Sequence, residues 1–287
     1  MSDTKPGTAS ENVWFVTGSS RGLGYAIAEQ ALAAGHKVAA TARTVSALQP
    51  LVDAYGEQIL PLQLDVTDPE QVQAAVTQAA GHFGRLDVIV NNAGYANMAP
   101  IENVAMDDFR AQVEAVFYGT VLVTKAALPI LRTQGSGHII QVTSVGGRIT
   151  APGMSAYQSA KWAVEGFSGV LAKEVSPLGI KVTLAEPGAM RTDWAGSSMA
   201  IPEFDPAYQQ TVGALQTYVR TRTGKEPIDP VKVAKALIFV TEQPEPPFHL
   251  LLGRDAVRLA AQDMAAVAAE DERWAHIGTN VDFPDGE

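Results

Sequence analysis

Short apolar segments rich in β-branched residues alternate with longer segments of helical periodicity from residue 13 to about residue 252. The short segments are apolar almost throughout instead of at every second position, which is typical of strands buried on both faces. Because strictly alternating strands and helices are joined by right-handed crossovers, the pattern predicts one doubly wound α/β domain with a parallel sheet flanked by helices on both faces. The seven predicted strands are Val13–Thr17, Lys37–Thr41, Ile59–Leu64, Val88–Asn91, His138–Val142, Lys181–Ala185 and Phe248–Leu252.

The segments between the strands carry helix signals. Asp68 stands directly before Pro69, a pair that is typical of a helix N-terminus. No repeat or shift in composition marks a linker, so we expect a single domain over residues 12–252, a flexible tail at 1–11, and a C-terminal helix and tail at 253–287. The predicted helices are Leu23–Ala34, Val45–Tyr55, Pro69–Phe83, Asp107–Leu131, Ala156–Val175, Pro230–Val240 and Asp255–Trp274.

The segment 193–229 interrupts this alternation. It is long and contains several prolines, yet it also carries aromatic and apolar residues. A loop of this length is typically either functional or disordered. Its aromatic content favours a loop that folds over a ligand, and we interpret it as a substrate loop.

Composition narrows the class of partner. The net charge of −10 and the isoelectric point near 5.0 argue against binding to nucleic acid or to an anionic membrane, because a polyanion would be repelled over most of the surface. The chain has no cysteine and its five histidines show no metal-ligand spacing, so no metal is expected. No run of about 18 apolar residues predicts a membrane span. The polar N-terminus does not resemble a signal peptide, and we expect a cytoplasmic protein.

A glycine-rich turn joins the first predicted strand to the first predicted helix. It reads Thr-Gly-Ser-Ser-Arg-Gly-Leu-Gly over residues 17–24. Glycine lets backbone N–H groups approach a pyrophosphate at the positive end of a helix, where a Cβ would block the approach. Three glycines also suit a purely structural turn, but at the first strand-to-helix connection of a doubly wound sheet they favour a nucleotide. The candidate cofactor-binding residues of this turn are Gly18, Ser20, Arg21, Gly22, Leu23 and Gly24.

The spacing Gly-x-x-x-Gly-x-Gly resembles the fingerprint of the short-chain dehydrogenase/reductase family. Further motifs of that family follow in order through residues 12–252: Asp65-Val66, Asn91-Asn92-Ala93-Gly94, Ser144, Tyr157-x-x-x-Lys161, and Pro187-Gly188 with Thr192. The resemblance implies a Rossmann-like fold and a nicotinamide cofactor. It also implies three groups of cofactor contacts: Asp65 and Val66 at the adenine, Asn92, Ala93 and Gly94 along the cofactor, and Pro187, Gly188, Met190 and Thr192 at the nicotinamide.

The end of the second predicted strand indicates which nicotinamide cofactor is bound. A carboxylate there would bind the ribose 2′-hydroxyl of NAD and repel the 2′-phosphate of NADP, whereas arginine does the reverse. This chain has Ala42 where NAD-dependent members of the family carry aspartate, and Arg43 follows it. Arg21 in the glycine turn can reach the same phosphate. Each arginine alone is typical of any surface, but the pair predicts NADP(H).

Tyr157 and Lys161 lie one turn apart on one face of a predicted helix. Tyrosine has an ordinary pKa of about 10, and we expect the Lys161 ammonium to lower the pKa of Tyr157. Tyr157 could then protonate a carbonyl oxygen, or take the proton of an alcohol in reverse. Ser144, after the fifth predicted strand, can hydrogen-bond the same oxygen. A lone Tyr-x-x-x-Lys is common on helix surfaces, so this catalytic assignment rests on the preceding motifs; by resemblance, Lys161 also binds the nicotinamide ribose.

Val116 departs from the family pattern. The family has asparagine at this position, where it helps hold a water that passes protons toward the lysine. Valine has no donor or acceptor, so it cannot serve this relay. We hypothesise that another water path, involving Gln112 one turn earlier, replaces it.

The residues expected near the substrate are apolar and aromatic, which suits a hydrophobic ketone or aldehyde, or the corresponding alcohol. Singly, each is more typical of packing, and Arg148 and Arg191 are unplaced candidates for an anionic substrate group. The predicted substrate-lining residues are Tyr95, Met98, Val145, Met154, Trp194, Met199 and Phe204.

Three functions remain open at this point. The favoured one is an NADPH-dependent carbonyl reductase; the others are an NADP(H)-binding sensor with little turnover and an NAD-linked alcohol dehydrogenase. The sensor would not need Ser144, Tyr157 and Lys161, and the NAD-linked enzyme requires that Arg43 be misplaced. The fourth and fifth helix candidates carry apolar residues on more than one face, and in the related family these helices pair subunits, so we expect a homodimer or homotetramer.

Overall fold

The structure is a computed structural model that describes residues 11–196 and 199–283. It contains a parallel sheet whose strand order is β3-β2-β1-β4-β5-β6-β7. All seven predicted strands are present, so the predicted doubly wound, Rossmann-like sheet is confirmed. The strands are β1 Val13–Val16, β2 Lys37–Ala42, β3 Ile59–Gln63, β4 Val88–Asn91, β5 Gly137–Val142, β6 Ile180–Pro187 and β7 His249–Leu252.

Helices connect and cover these strands. Asp68 begins the third helix as predicted, because its carboxylate accepts hydrogen bonds from the N–H groups of Glu70 and Gln71. The helices are α1 Gly22–Ala33, α2 Gln49–Tyr55, α3 Pro69–Phe83, α4 Met106–Val113, α5 Gly119–Gln134, α6 Ser155–Val175, α7 Ala214–Arg222, α8 Pro230–Thr241 and α9 Arg254–Gly278.

Alternate side chains of each strand enter two separate cores. In β1, Trp14 and Val16 pack with α1 and α8 on one face, while Val13 and Phe15 pack with α3, α5 and α6 on the other. All four are buried. Burial on both faces explains why the strand sequences are apolar without alternation.

Three helical details differ from the sequence prediction. The helix predicted over Asp107–Leu131 is divided by a π-helical turn at Glu114–Tyr118, which lies between α4 and α5. The predicted substrate loop at 193–229 includes α7, so it is not a loop throughout. The C-terminal helix α9 continues past its predicted end at Trp274 to Gly278. The predicted tail residues 1–10 and 284–287 lie outside the described residues.

One helical run, Met106–Gln134, is long and apolar enough to cross a membrane by length and composition alone. The sequence predicted no membrane span, because polar residues such as Thr124 interrupt the apolar run. Its inner face packs on the sheet, where Val123, Ala127 and Leu131 are fully buried. A single run of this kind is weak evidence for a membrane span.

Candidate active site

The carboxyl ends of the strands meet at one edge of the sheet, and the strand order reverses between β1 and β4. Connections leave these two strands in opposite directions, which opens a crevice where ligands of doubly wound folds bind. The glycine turn after β1, the segment after β4, and the connections after β5 and β6 all lie at this edge. The topology therefore gathers the predicted site residues at one place.

The turn between β1 and α1 provides backbone room that only glycine allows. Gly18 and Gly22 have φ angles of +69° and +59°, and a Cβ on Gly24 would overlap the carbonyl oxygen of Gly18. The N-cap of α1, Arg21, makes no side-chain capping bond, and the first turn of α1 has no acidic residue. Unsatisfied N–H groups and the positive helix end therefore face the crevice, an arrangement that fits the pyrophosphate of a dinucleotide.

Asn92 and Thr17 tie this turn to the end of β4. The Asn92 side-chain amide donates to the carbonyl oxygens of Thr17 and Gly18 at 2.9 and 3.2 Å. The Thr17 hydroxyl oxygen accepts from the N–H groups of Asn92 and Ala93 at 2.9 and 3.0 Å. This mutual bonding fixes both sides of the crevice before any ligand binds.

The ends of β2 and β3 border the crevice at the side where the family binds adenosine. Ala42 is buried and Arg43 is exposed. Within the part of the chain that the structure describes, Arg43 forms no ion pair. Asp65 accepts from the N–H and hydroxyl of Thr67 at 3.0 and 2.8 Å, which fixes its carboxylate, and Val66 is buried beside it.

The connection after β6 faces the glycine turn from the opposite side. Asp255, in the first turn of α9, accepts from the N–H of Ala189 at 2.8 Å, and its carboxylate leaves no room for a Cβ on Gly188. Met190 packs against the core beside α1 and α8. Thr192 lies next to Gly22, since a Cβ on that glycine would be 3.6 Å from the Thr192 Cβ. Pro187 ends β6 and is buried.

An ion pair also joins the two sides. Arg21 in the glycine turn lies 3.2 Å from the Asp193 carboxylate, and the two side chains are 60% and 48% exposed. Arg21 was predicted to face a phosphate, but in this structure its guanidinium already contacts a carboxylate. At this exposure the pair contributes at most about 1 kcal/mol, so a phosphate can displace the carboxylate at little cost.

The predicted catalytic residues are brought together. Tyr157 and Lys161 are both buried on α6, and the Lys161 ammonium lies 5.6 Å from the centre of the Tyr157 ring. The Lys161 Nζ donates to the carbonyl oxygen of Val142, at the end of β5, at 2.7 Å. Ser144 faces Tyr157. Its hydroxyl donates to the carbonyl oxygen of Pro187 at 3.4 Å and accepts from the N–H of Gly146 at 3.0 Å.

Burial shifts the pKa values of Tyr157 and Lys161 and so controls which of them is charged. It raises the pKa of Tyr157 to about 12, although the hydrogen bond from Ser144 opposes the rise. The prediction that Lys161 lowers the pKa of Tyr157 below its ordinary value was therefore wrong in direction, because removal of the tyrosinate from water outweighs any attraction. Burial also lowers the pKa of Lys161 to about 8, against the opposing attraction of Glu165. Near neutral pH, Tyr157 carries its proton and is a donor.

Val116 places an apolar side chain where the family carries asparagine. It is buried in the π-helical turn, and its methyl group lies 3.3 Å from the place of a Cβ on Gly94. Its carbonyl oxygen accepts from the Thr120 hydroxyl at 2.8 Å. Gln112 does not replace the missing polar group: its amide accepts from the N–H of Asn97 at 3.0 Å and donates to Asp108 at 3.0 Å. The Gln112 hypothesis is therefore not supported.

An apolar cluster adjoins Tyr157 on the substrate side. The Trp194 ring lies 5.3 Å from the Tyr157 ring, centre to centre. Sequence reasoning missed Val212 and Leu215, which extend the cluster from the π-helical turn before α7 and from α7 itself. Five of the seven predicted substrate-lining residues are in this cluster: Met98, Met154, Trp194, Met199 and Phe204.

The other two predicted lining residues lie elsewhere. Val145 packs against Ala256 and Ala260 of α9, because the short turn after Ser144 directs it toward the C-terminal helix. Tyr95 is half-buried outside the apolar cluster, and burial together with the negative charge of Asp108 raises its pKa. Val145 and Tyr95 therefore lie outside the apolar cluster, and the substrate-lining role of the other five residues stays a prediction.

Sequence reasoning also missed a buried ionic cluster beside Lys161. Arg148 donates to Glu186 at 2.8 Å, and His249 lies 2.6 Å from the same carboxylate oxygen. Glu165 lies next to them, with its Oε2 3.7 Å from the His249 Nδ1. The ligand atoms of Glu165, Glu186 and His249 lie within 4.8 Å of one another, a spacing that could hold a metal ion. The Arg148 guanidinium already supplies positive charge there, which disfavours a cation.

One of the two arginines that the sequence left unplaced belongs to this cluster. Arg148 belongs to the cluster, and Arg191 donates to the carbonyl oxygen of Glu226 at 3.0 and 3.2 Å. Both guanidinium groups have partners within the protein, although Arg191 is exposed. Glu165 and His249 come from α6 and β7, and no spacing in the sequence announces their contact.

Comparison with known proteins gives a consistent answer. The short chain dehydrogenase family model matches residues 12–201. An oxidoreductase of Botryotinia fuckeliana, BOA17, is 55% identical over 266 residues, which cover 92% of this chain and 97% of that protein. A short-chain dehydrogenase from Streptomyces avermitilis shares the fold with a TM-score of 0.89 at 38% identity, covering 95% of this chain and 99% of that one.

A second solved structure, an alcohol dehydrogenase from Thermococcus sibiricus complexed with 5-hydroxy-NADP, has a TM-score of 0.71 and 26% identity, covering 85% of this chain and 96% of that one. The matched residues include the glycine turn, the Asn91–Gly94 motif and the group of Ser144, Tyr157 and Lys161. The chain belongs to the short-chain dehydrogenase family of oxidoreductases.

Proposed function

We propose that this oxidoreductase reduces an apolar ketone or aldehyde with NADPH, and oxidises the alcohol in reverse. The observation that carries the proposal is the position of Tyr157, which faces Ser144 on one side and packs against the apolar cluster of Trp194 and Met199 on the other. A proton donor at the edge of an apolar pocket suits a carbonyl group attached to hydrophobic substituents.

The residues then have distinct tasks. The amides of the glycine turn, Asn92 and Lys161 would hold the nicotinamide cofactor, which would supply or accept hydride. Tyr157 donates its phenolic proton to the carbonyl oxygen, and Ser144 hydrogen-bonds that oxygen and holds it in place. Because burial keeps Tyr157 protonated near neutral pH, the site is ready for reduction without a prior proton transfer.

The preference for NADP(H) rests on Arg43. Its guanidinium is exposed, and no carboxylate among the described residues pairs with it. Ala42 provides no acidic group that would bind a 2′-hydroxyl. The Thermococcus sibiricus relative was solved with an NADP derivative, which is consistent with this preference.

The test is consumption of NADPH and of NADH at matched concentrations across aliphatic, aromatic and bicyclic ketones and aldehydes. We expect turnover with NADPH to exceed that with NADH by about tenfold or more, because one charge-assisted contact to a phosphate is worth about 1.5–3 kcal/mol. Faster turnover with NADH would instead indicate an NAD-linked alcohol dehydrogenase. Cofactor binding without turnover on any ketone, aldehyde or alcohol would indicate a sensor.

We also propose that the protein is a homodimer or homotetramer. Three large apolar side chains are about half exposed: Tyr118 between α4 and α5, and Trp162 and Val170 on α6. Large apolar residues clustered on neighbouring helices indicate a contact surface. Light scattering of the purified protein checks this, and a monomer at micromolar concentration would overturn it.

A further inference from the structure

The cluster beside Lys161 contains two buried carboxylates in unlike environments. Glu186 is fully buried, and one of its oxygens accepts from Arg148 and contacts His249 at 2.8 and 2.6 Å. Glu165 is 11% exposed, and neither of its oxygens has a hydrogen-bond partner among the described residues. The Thr143 hydroxyl faces Glu165 but donates to the carbonyl oxygen of Ala185 at 3.2 Å. A buried carboxylate without hydrogen-bond partners is unusual and calls for an explanation.

Glu165 is placed between the catalytic lysine and solvent. It follows Lys161 by one helical turn on the same face of α6, and its charge acts on Lys161. On its other side, its Oε2 lies 3.7 Å from the Nδ1 of His249, whose side chain is 48% exposed. A path thus runs from the buried ammonium through a carboxyl group to an imidazole that contacts water.

The charges that face Glu165 bring its proton affinity close to that of Lys161. Burial and the Glu186 carboxylate raise the pKa of Glu165 to about 7, against Thr143, Arg148 and Lys161. Burial lowers the pKa of Lys161 to about 8. Proton transfer between groups of similar pKa needs little energy in either direction.

We propose that Glu165 passes protons between solvent and Lys161 through His249, and so does the work that the Val116 position cannot do. This inference rests on the proposed reductase function. Glu165 acts through Lys161 and touches neither substrate nor cofactor.

The proton balance of one reduction is as follows. Tyr157 gives its proton to the carbonyl oxygen as hydride reaches the carbon, and the tyrosinate then takes a proton from the Lys161 ammonium. The Lys161 amine takes a proton from the Glu165 carboxylic acid, and the Glu165 carboxylate regains one from water through His249. Water bridges complete the contacts from Lys161 to Tyr157 and to Glu165. One proton has moved from solvent to substrate, and every residue has returned to its starting form.

The first test is Glu165→Gln, which keeps the shape of the side chain but cannot carry a proton. We expect kcat for ketone reduction to fall about tenfold or more, with KM for the ketone unchanged. In the wild type the rate should decline as pH rises through about 7, where Glu165 loses its proton, and Glu165→Gln should remove that decline. Imidazole or a small carboxylic acid added to the buffer should restore part of kcat. Glu174→Gln, an exposed change on the same helix, is the matched control.

A second variant and a spectroscopic measurement keep the proposal testable if Glu165→Gln does not fold. His249→Gln should slow kcat and be rescued by imidazole. Infrared titration of the protein without cofactor should show a carboxylic acid signal that disappears near pH 7 and is missing from Glu165→Gln.

The outcomes separate the two proposals. A wild type with no turnover on any carbonyl or alcohol overturns the proposed function, whatever Glu165 does. An active wild type whose kcat and pH profile survive Glu165→Gln overturns the relay. So does a loss of kcat that neither small acids nor imidazole relieve and that leaves the pH profile unchanged, because this would be a structural effect. Activity that is lost on removal of a divalent ion from this cluster would also overturn it.

Discussion

The two sides of the crevice are built by different means. The cofactor side, residues 17–24 and 92–94, is held by hydrogen bonds between Thr17 and Asn92 and by glycines that no other residue can replace. The substrate side, the apolar cluster around Met98 and Trp194, is held by packing among methionine and aromatic side chains. Hydrogen-bonded backbone fixes one ligand geometry, whereas flexible thioethers adapt to several shapes. The cofactor class is therefore readable from the sequence, and the substrate is not.

The largest effect is expected at Tyr157, where the two sides meet. Tyr157→Phe should lower kcat by roughly 10²- to 10⁴-fold, because the proton donor is lost. Cofactor affinity, measured by fluorescence titration, should change little, since the ring and its packing on Trp194 remain. Appreciable activity in this variant would mean that another group protonates the product.

A change in the cofactor side alone tests its rigidity. Gly24→Ala should weaken cofactor binding by about 100-fold or prevent folding, because the new methyl group overlaps the Gly18 carbonyl oxygen and the backbone must move. Binding is measured by calorimetry and folding by circular dichroism. Gly81→Ala on α3, where a Cβ meets nothing within 4 Å, is the control and should bind normally.

A smaller effect is expected from a change at Arg43, where the adenosine end of the cofactor is expected to bind. Arg43→Ala should reduce kcat/KM with NADPH by about tenfold and leave NADH unaffected, because only the phosphate contact is removed. Arg132→Ala, an exposed arginine at the end of α5, controls for the change in net charge. An equal loss of kcat/KM with NADPH and with NADH would show that Arg43 does not bind the 2′-phosphate of NADPH.

The smallest effect is expected from the substrate side. Met199→Leu conserves volume in an apolar cluster and should cost less than about 1.5 kcal/mol in stability. It should alter the order of preference among ketones by a few-fold while the turnover of the best ketone stays similar. Thermal melting and competition between paired ketones measure the two quantities. A loss as large as that of Gly24→Ala would show that the substrate side is as rigid as the cofactor side.

Local patterns predicted the parallel sheet and the glycine turn, because strand periodicity and spacing within one connection are carried by neighbours in sequence. The group of Ser144, Tyr157 and Lys161 was predicted from the resemblance to the family. The raised pKa of Tyr157 could not be predicted in this way, because it depends on burial by distant elements.

The ionic cluster could not be predicted from local sequence either. Glu165, Glu186 and His249 come from α6, β6 and β7, and they meet only after the sheet has assembled. The sequence marks each of them as an ordinary charged or polar residue. Val145 was misplaced for a related reason, since the turn after Ser144 directs its side chain toward α9.

The bonds between Thr17 and Asn92 have a consequence for biosynthesis. The two residues are separated by 75 positions, so the cradle for the cofactor exists only once β1 and β4 have paired. A nascent chain that ends before β4 has the complete glycine turn but lacks the Asn92 bonds that tie it to the end of β4. Because the cofactor then binds only the assembled sheet, it stabilises the finished fold by about 2.7 kcal/mol at 100 times its dissociation constant.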